Sequence, residues 1–366
     1  MARKPPKVLI NALHTSTGGG VTYLRGILPR LANDIRARWI LLATPKLLEL
    51  LEIPGNVEVK VAPEMGFAKG HLWEQLVLPW TCRAWGVRRM LCNANYVPLL
   101  APRPVPVLHT TPRVAQQVSG IGWWLYWTFL KTLTVLSLWR APRALSVARH
   151  VVGDYVGAWV GRKVRVASPA VIVPAGEATV NPDLIITVGD FYPQKDYPLL
   201  VRALEKVRAR RPKARLMIVG RAIDTKVRDE VLALIRELKL ADAVTLTGAM
   251  PHDKVLANLK RAAVYVSTSS AECFNIPVLE ALACGVPCVL NDTDFQVEVA
   301  GDAAVYVPAH KGGDVAAAYA AAICGVMEDA AVAATLRRMG LARAAGFSWE
   351  KTARIVADTV LGMKGA

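Results

Sequence analysis

The chain has 366 residues, 53% of them hydrophobic, and carries 45 Lys and Arg against 29 Asp and Glu, a formal net charge of +16. That length accommodates two domains with sizeable buried cores. The six cysteines contain no CxxC pair, which excludes a disulfide scaffold and reads as reduced thiols used mostly as core filler.

The charge is lopsided. Residues 1–180 hold 22 basic and 8 acidic residues and nine of the ten tryptophans, whereas residues 181–366 hold 23 basic and 21 acidic. A basic, Trp-rich half fits an anionic membrane surface, because tryptophan favours the headgroup region. The basic residues are scattered rather than striped and no nucleic-acid-reading motif appears, so nucleic acid is not an expected partner.

In chain order, the basic start MARKPPKVLINAL has an apolar run only a strand long, so no signal peptide is expected. KVLINAL reads as a buried strand that runs into HTSTGGGVTYLRGILPRL, a glycine-rich turn and a helix. An open α/β sheet begins that way, and Gly19 and Gly20 could let backbone approach a phosphate or an acceptor closely. His14 lies beside that turn. Apolar runs recur at 39–43, 57–61, 89–93 and 105–109, the last ending at His109. The stretch 121–139, IGWWLYWTFLKTLTVLSLW, is nearly long enough to span a bilayer, but Lys131 and three threonines interrupt it. A buried helix, or one lying in a membrane interface with its Trp face down, is expected there.

Residues 171–182 form a Pro/Gly-punctuated connector, after which strand and helix patterns alternate from LIITVGD to AAVYVP. Strict alternation implies a parallel sheet covered by helices on both faces. The expected fold is therefore α/β, with two Rossmann-like parallel-sheet domains facing across a cleft. The first should cover 1–175 and the second 176–342, followed by a terminal segment, 343–366.

Within the second domain the segment SSAECFNIPVLEALACGVPCV, residues 269–289, sets Glu272 on a loop and Glu280 about one turn into a helix that Pro277 suits at its start. The helix N-terminus offers N–H groups and positive dipole to a diphosphate. Two acids so spaced fit separate tasks along an elongated ligand better than a hydrolase pair acting across one bond. Asp292 and Asp294 form a D-x-D, here read as a turn with helix-start acids. No zinc spacing and no Gly-Lys-Ser/Thr phosphate loop occurs.

The 269–289 segment resembles the signature E-x-F-G-[LIN]-P-x-x-E-A-x-A-x-G-x-P of the retaining GT-B glycosyltransferases of family 4, with Glu272, Phe274, Pro277, Glu280, Ala281, Ala283, Gly285 and Pro287 in register. Asn275 stands where the family has glycine. The likeness covers most of the second half and, more faintly, the first, and it is nearest to bacterial glycan- and lipopolysaccharide-type mannosyl- and rhamnosyltransferases. FSWEKTARIVADTV, residues 347–360, is similar to the family's terminal helix, which implies that 343–366 is a terminal helix crossing back to the first domain with Trp349 as a packing anchor. It implies a metal-independent, retaining transfer of a hexose-type sugar from a nucleotide diphosphate sugar to an acceptor hydroxyl, with no cofactor besides that donor.

By the same resemblance Glu272 and His109 are the catalytic candidates. Glu280 would take the ribose hydroxyls, Lys195 the diphosphate, Met250 the neighbourhood of the base, and Phe274, Asn275 and Ile276 the sugar, with Gly19 and Gly20 approaching from the first domain. Many members carry arginine where this chain has Asp190, so Lys195 acts alone or with another cation such as Arg221. The acceptor is expected to be a glycan or lipid-linked molecule, and the protein cytoplasmic, peripheral at the inner face of the membrane. Two other readings stay open: another GT-B activity such as nucleotide-sugar epimerisation, and an inactive sugar-nucleotide-binding scaffold.

Overall fold

The computed structural model describes residues 4–15, 18–115, 121–155, 161–176, 178–308 and 313–363. The chain divides into two compact units, one of residues 1–170 with 348–366 and the other of residues 171–347. The divisions fall a few residues from the expected 175/176 and 342/343.

The first unit runs β1 (Lys7–Asn11), α1 (Gly19–Ala32), β2 (Arg38–Ala43), α2 (Pro45–Leu48), β3 (Glu58–Val61), α3 (Phe67–Leu76), α4 (Leu78–Ala84), β4 (Val87–Cys92), β5 (Pro104–Leu108), α5 (Pro112–Ala115), α6 (Ile121–Arg140), β6 (Ala144–Ser146), α7 (Arg149–Tyr155) and β7 (Val164–Val166). Its strands form one parallel sheet in the order β3-β2-β1-β4-β5-β6-β7. The central strands are buried on both faces, which is why VLI, WILLA and MLC read as unbroken apolar runs. Strands β6 and β7 are three residues each, too short for their periodicity to stand out in the sequence.

The second unit runs β8 (Asn181–Val188), α8 (Tyr197–Arg210), β9 (Arg215–Val219), α9 (Thr225–Glu237), β10 (Val244–Gly248), α10 (His252–Arg261), β11 (Ala262–Ser267), α11 (Ile276–Ala283), β12 (Cys288–Asn291), α12 (Asp294–Ala300), β13 (Val305–Val307), α13 (Val315–Glu328) and α14 (Ala330–Ala345). The strands form a parallel sheet in the order β10-β9-β8-β11-β12-β13. Helix α9 is started by Asp224 and α13 by Asp314, each accepting first-turn backbone N–H bonds that the helix cannot satisfy itself. The core beneath is closed by the fully buried rings of Phe191, Tyr197, Tyr265, Phe295 and Tyr319.

Helix α15 (Trp349–Leu361) returns to the first unit. Ser348 caps it by accepting the Lys351 N–H at 3.2 Å. Trp349, 5% exposed, lies against α1 so closely that a Cβ on Gly26 would fall 2.2 Å from its indole. The terminal helix docks because one position of α1 has no side chain.

Candidate functional site

In an open parallel sheet, ligands bind beyond the carboxyl ends of the strands where the strand order reverses. In the second unit that point lies between β8 and β11, adjacent in the sheet. The loop after β8 carries Lys195 in a 3-10 turn, Pro193–Lys195, so the lysine precedes α8 rather than opening it. Asp196, in the left-handed region at φ 47°, caps α8 through the Leu199 N–H. Glycine is required here by close approach. A Cβ on Gly220 would meet the Gly189 carbonyl oxygen at 1.9 Å, and one on Gly189 would meet Lys195 Cε at 2.7 Å.

The loop after β11 carries Glu272 and is tied to the first loop. The Ser270 N–H donates to Gln194 O at 2.8 Å and the Thr268 hydroxyl to Lys195 O at 2.6 Å. Across this stitched pair of loops Lys195 Nζ lies 2.6 Å from Glu272 Oε1, which also accepts from Ser269 Oγ at 2.8 Å. Their side chains are 13% and 19% exposed, so a charged donor and a charged acceptor meet at a site partly withdrawn from water.

Asn275 has φ 52°, the left-handed conformation that glycine adopts freely and that asparagine tolerates better than most residues. The signature's glycine and this asparagine therefore meet the same backbone demand. Its side chain turns inward, 4% exposed, and donates from Nδ2 to Ser267 Oγ at 3.3 Å and Gln296 Oε1 at 3.1 Å. Phe274 is equally buried, with its ring 5.7 Å from that of Phe347 in an edge-on contact. Of the residues expected at the sugar, Phe274 and Asn275 thus offer backbone and not side chain. Ile276 opens α11, and Glu280 lies just past its first turn, 9% exposed, with Oε1 2.7 Å from Nε2 of His252 at the start of α10. Met250 precedes that helix, its sulfur 3.6 Å from Asn258 Nδ2, after Gly248 turns the chain at φ 68°.

Arg221 and Asp190 pair, with Nη2 2.5 Å from Oδ2 and a second contact through Nε. Burial alone would raise Asp190, but the hydrogen bonds from the Arg221 side chain and amide outweigh it and hold the carboxyl below the usual range. The acid at position 190 binds a cation to the rim of the loop that holds Lys195. Asp294 starts α12 and accepts the Phe295 N–H at 2.8 Å, while the Asp292 N–H donates to Val307 O. Among the described residues no group of three or more His, Cys, Asp and Glu is arranged to hold a metal ion.

In the first unit the order reverses between β1 and β4. The loops after these strands and after β5 enclose a cavity of about 330 Å³ whose wall includes His14, Gly20, Asn93, Asn95 and His109. The turn's left-handed residue is Gly18, at φ 65°, whereas Gly19 and Gly20 begin α1. A Cβ on Gly20 would come within 3.3 Å of Thr15 Cγ2. His109 Nε2 is 2.8 Å from Asn93 Oδ1, the His109 backbone N–H donates to Asn95 Oδ1 at 2.7 Å, and the Tyr23 ring meets the imidazole edge-on at 4.9 Å. The protein packed around it pushes the imidazole down to about 4, although part of its ring faces the cavity.

Within the second unit the fold brings Lys195 and Glu272 into contact and sets Glu280 beside His252. Sequence reasoning passed over His252, Ser269, Asn93 and Asn95. Only the adjacency of His252 to the Met250 turn was a signal, since the others acquire a role from loops that meet in the folded chain.

A family model described as glycosyl transferases group 1 matches residues 173–340. The chain is 31% identical over 189 residues to a D-inositol 3-phosphate glycosyltransferase of Segniliparus rotundus, covering 46% of this chain and 38% of that protein. It is 34% identical over 143 residues to a phosphatidyl-myo-inositol mannosyltransferase of Mycolicibacterium smegmatis, covering 37% and 34% of the two. The matched part thus spans well under half the length of these curated relatives. Among solved structures, Anabaena HepE in complex with UDP and glucose superposes with a TM-score of 0.76 at 17% identity, covering 98% of this chain and 100% of that one.

Proposed function

From the premise that this chain is a family 4-like GT-B protein whose residues 173–340 match the group 1 glycosyl transferases, we propose that it transfers a hexose-type sugar from a nucleotide diphosphate sugar to an acceptor hydroxyl with retention of configuration. The observation that carries this is the Lys195–Glu272 pair across the β8–β11 switch point, its glutamate three residues before Asn275 and four before the start of α11 in the signature segment.

The donor's diphosphate takes Lys195 from Glu272, as the stronger and doubly charged partner. Glu272 then accepts hydrogen bonds from sugar hydroxyls, aided by the backbone of Phe274, Asn275 and Ile276. Glu280, oriented by His252, accepts from the ribose hydroxyls, with Met250 near the base. Lys195 and the α11 amides stabilise the charge that grows on the departing diphosphate, and the acceptor hydroxyl enters on the face it leaves. The names of the inositol-related relatives favour an acceptor built on a polyol or a lipid-linked glycan.

The same reading has the protein work in the cytoplasm as a peripheral protein at the inner face of the membrane. Among the described residues no single helix is long and apolar enough to cross a bilayer. Helix α6 buries Leu133 and Leu138 yet exposes Trp124, Leu125, Phe129, Leu136 and Trp139. Leu72, Leu76 and Trp80 of α3 and α4 are exposed too, and α3 touches α6 where the rings of His71 and Phe129 meet at 5.9 Å. Apolar surface of that extent in the more basic half fits the headgroup region of an anionic bilayer.

Thermal stabilisation against UDP, GDP, ADP, dTDP and CMP tests the donor reading. One nucleotide is expected to raise the melting temperature of the wild type and not that of Lys195→Ala or Glu280→Ala, and a chain indifferent to all five would overturn it.

A further inference from the structure

The cavity at the β1–β4 switch point has a chemistry that the donor site does not use. Among the described residues its wall holds no Lys, Arg, Asp or Glu. Its polar groups are three imidazoles (His14, His71, His109), the carboxamides of Asn93 and Asn95, and hydroxyls, with Tyr126 and Trp127 of α6 as an aromatic side. A volume of about 330 Å³ is at the small end for ligand sites. A phosphate or carboxylate brought there would lose water without gaining a permanent cation.

One charge stands behind the wall. Glu74 of α3 is fully buried, and both its oxygens are engaged: Asn11 Nδ2 donates to Oε1 at 2.6 Å, and His14 Nε2 lies 3.0 Å from Oε2. The carboxylate therefore neutralises the imidazole if it is protonated. If it is not, the carboxylate fixes the tautomer with hydrogen on Nε2, which makes Nδ1 the acceptor. His71 Nε2 is 2.8 Å from the Tyr96 hydroxyl, and the His14 and His71 rings lie 4.3 Å apart. The wall also has an unmet need: Trp127 Nε1 is buried without a hydrogen-bond partner among the described residues, a rare condition that an acceptor oxygen would relieve.

We propose that this cavity receives an uncharged, hydroxyl-rich ring, the terminal sugar or cyclitol of the acceptor, with His14 and Trp127 bonding its hydroxyls and Glu74 acting as the positioning residue of His14. The inference rests on the glycosyl-transfer reading and adds to it a preference against phosphorylated rings. Any charged part of the acceptor stays outside the cavity.

Saturation-transfer NMR on the full chain, with its stabilising nucleotide diphosphate present, tests this with methyl α-mannoside, methyl α-glucoside and myo-inositol against mannose 6-phosphate, glucose 6-phosphate and inositol 1-phosphate. At least one neutral ring is expected to bind, and its phosphorylated partner at least tenfold more weakly. His14→Ala, Glu74→Gln and Trp127→Phe should each lower binding of the neutral ring at least fivefold and leave nucleotide stabilisation unchanged. Trp127→Phe keeps the packing, so the result stands even if a buried Glu74 variant fails to fold. Side-chain ¹⁵N spectra should show His14 as one tautomer in the wild type and as a mixture in Glu74→Gln, a change that a merely structural Glu74 would not produce.

Equal or tighter binding of the phosphorylated rings overturns the proposal, as does binding that the three variants leave intact. Displacement of the neutral ring by a saturating intact nucleotide sugar also overturns it, by assigning the cavity to the donor's own sugar. Nucleotide binding with no neutral ring bound removes the cavity's assignment alone. A chain that binds no nucleotide removes the functional reading beneath it, and the proposal with it.

Discussion

Lys195 and Glu272, one on each loop at the β8–β11 switch point, form an ion pair at 2.6 Å with both side chains mostly withdrawn from water. The two variants that break it should behave oppositely toward nucleotide. Lys195→Ala leaves the carboxylate without its cation, at a cost of about 1–3 kcal/mol in stability, and loses stabilisation by the nucleoside diphosphate. Glu272→Gln releases Lys195, so nucleotide stabilisation is kept or strengthened, while transfer falls on the order of 100-fold or more. Thermal melts with and without nucleotide, beside a donor-consumption assay, separate the two; equal loss of nucleotide binding in both would contradict the competition between Glu272 and the diphosphate.

Asn275 combines a left-handed backbone with two buried hydrogen bonds. Asn275→Ala loses the bonds and must hold the same φ, a cost of about 2–4 kcal/mol from the two effects together. Asn275→Gly loses the bonds but not the conformational ease, and should be the milder change by about 1 kcal/mol. Equilibrium denaturation of the three proteins gives the order, and an alanine variant at least as stable as the glycine one would show that backbone conformation does not govern this position.

Gly26 is the gap that Trp349 fills. Gly26→Ala forces a buried ring to move and should cost about 1–3 kcal/mol, and Trp349→Ala about 3–5 kcal/mol through lost burial. In the double variant the effects should fall short of their sum, because the ring that clashes is gone. Hydrogen exchange in α15 is the local reading, with faster exchange expected in both single variants.

His109 is held neutral, its pKa lowered to about 4 by burial. The unfolded chain binds that proton near pH 6.5, so between about 6.5 and 4 the unfolded state carries more protons than the folded one. Stability from this group is intact above pH 6.5 and declines as pH falls through that window, by on the order of 1–3 kcal/mol, the cavity-facing edge keeping it below the full shift. His109→Gln should flatten the decline between pH 6.5 and 4 in a series of thermal melts, and an unchanged slope would show that His109 is solvated as an ordinary surface histidine.

Anionic vesicles should sediment the protein and neutral ones much less. Trp124→Ser with Trp139→Ser, both at exposed positions of α6, should weaken anionic binding at least tenfold and leave nucleotide stabilisation unchanged. Binding that ignores both lipid charge and these tryptophans would remove the membrane from the reading.

The parallel α/β rhythm was legible in the sequence because strands buried on both faces must be continuously apolar and helices must follow a period of 3.6, both local constraints. Helix α6 was legible for the same reason, whereas the anchor Trp349 and the donor segment of Glu272, Pro277 and Glu280 were legible through the resemblance. Strands β6 and β7 were hidden, since three residues do not establish a period.

Which atoms meet was decided only by the tertiary structure. Strand order, and not chain order, puts β8 beside β11 and β1 beside β4, and so brings Lys195 to Glu272 and Asn93 to Thr15. The inward turn of Asn275 and Phe274 was equally invisible, because it depends on the packing partners Gln296 and Phe347. A sequence fixes what each residue can do by local chemistry, whereas ion pairing and burial depend on distances that arise when remote loops are closed together by a buried sheet.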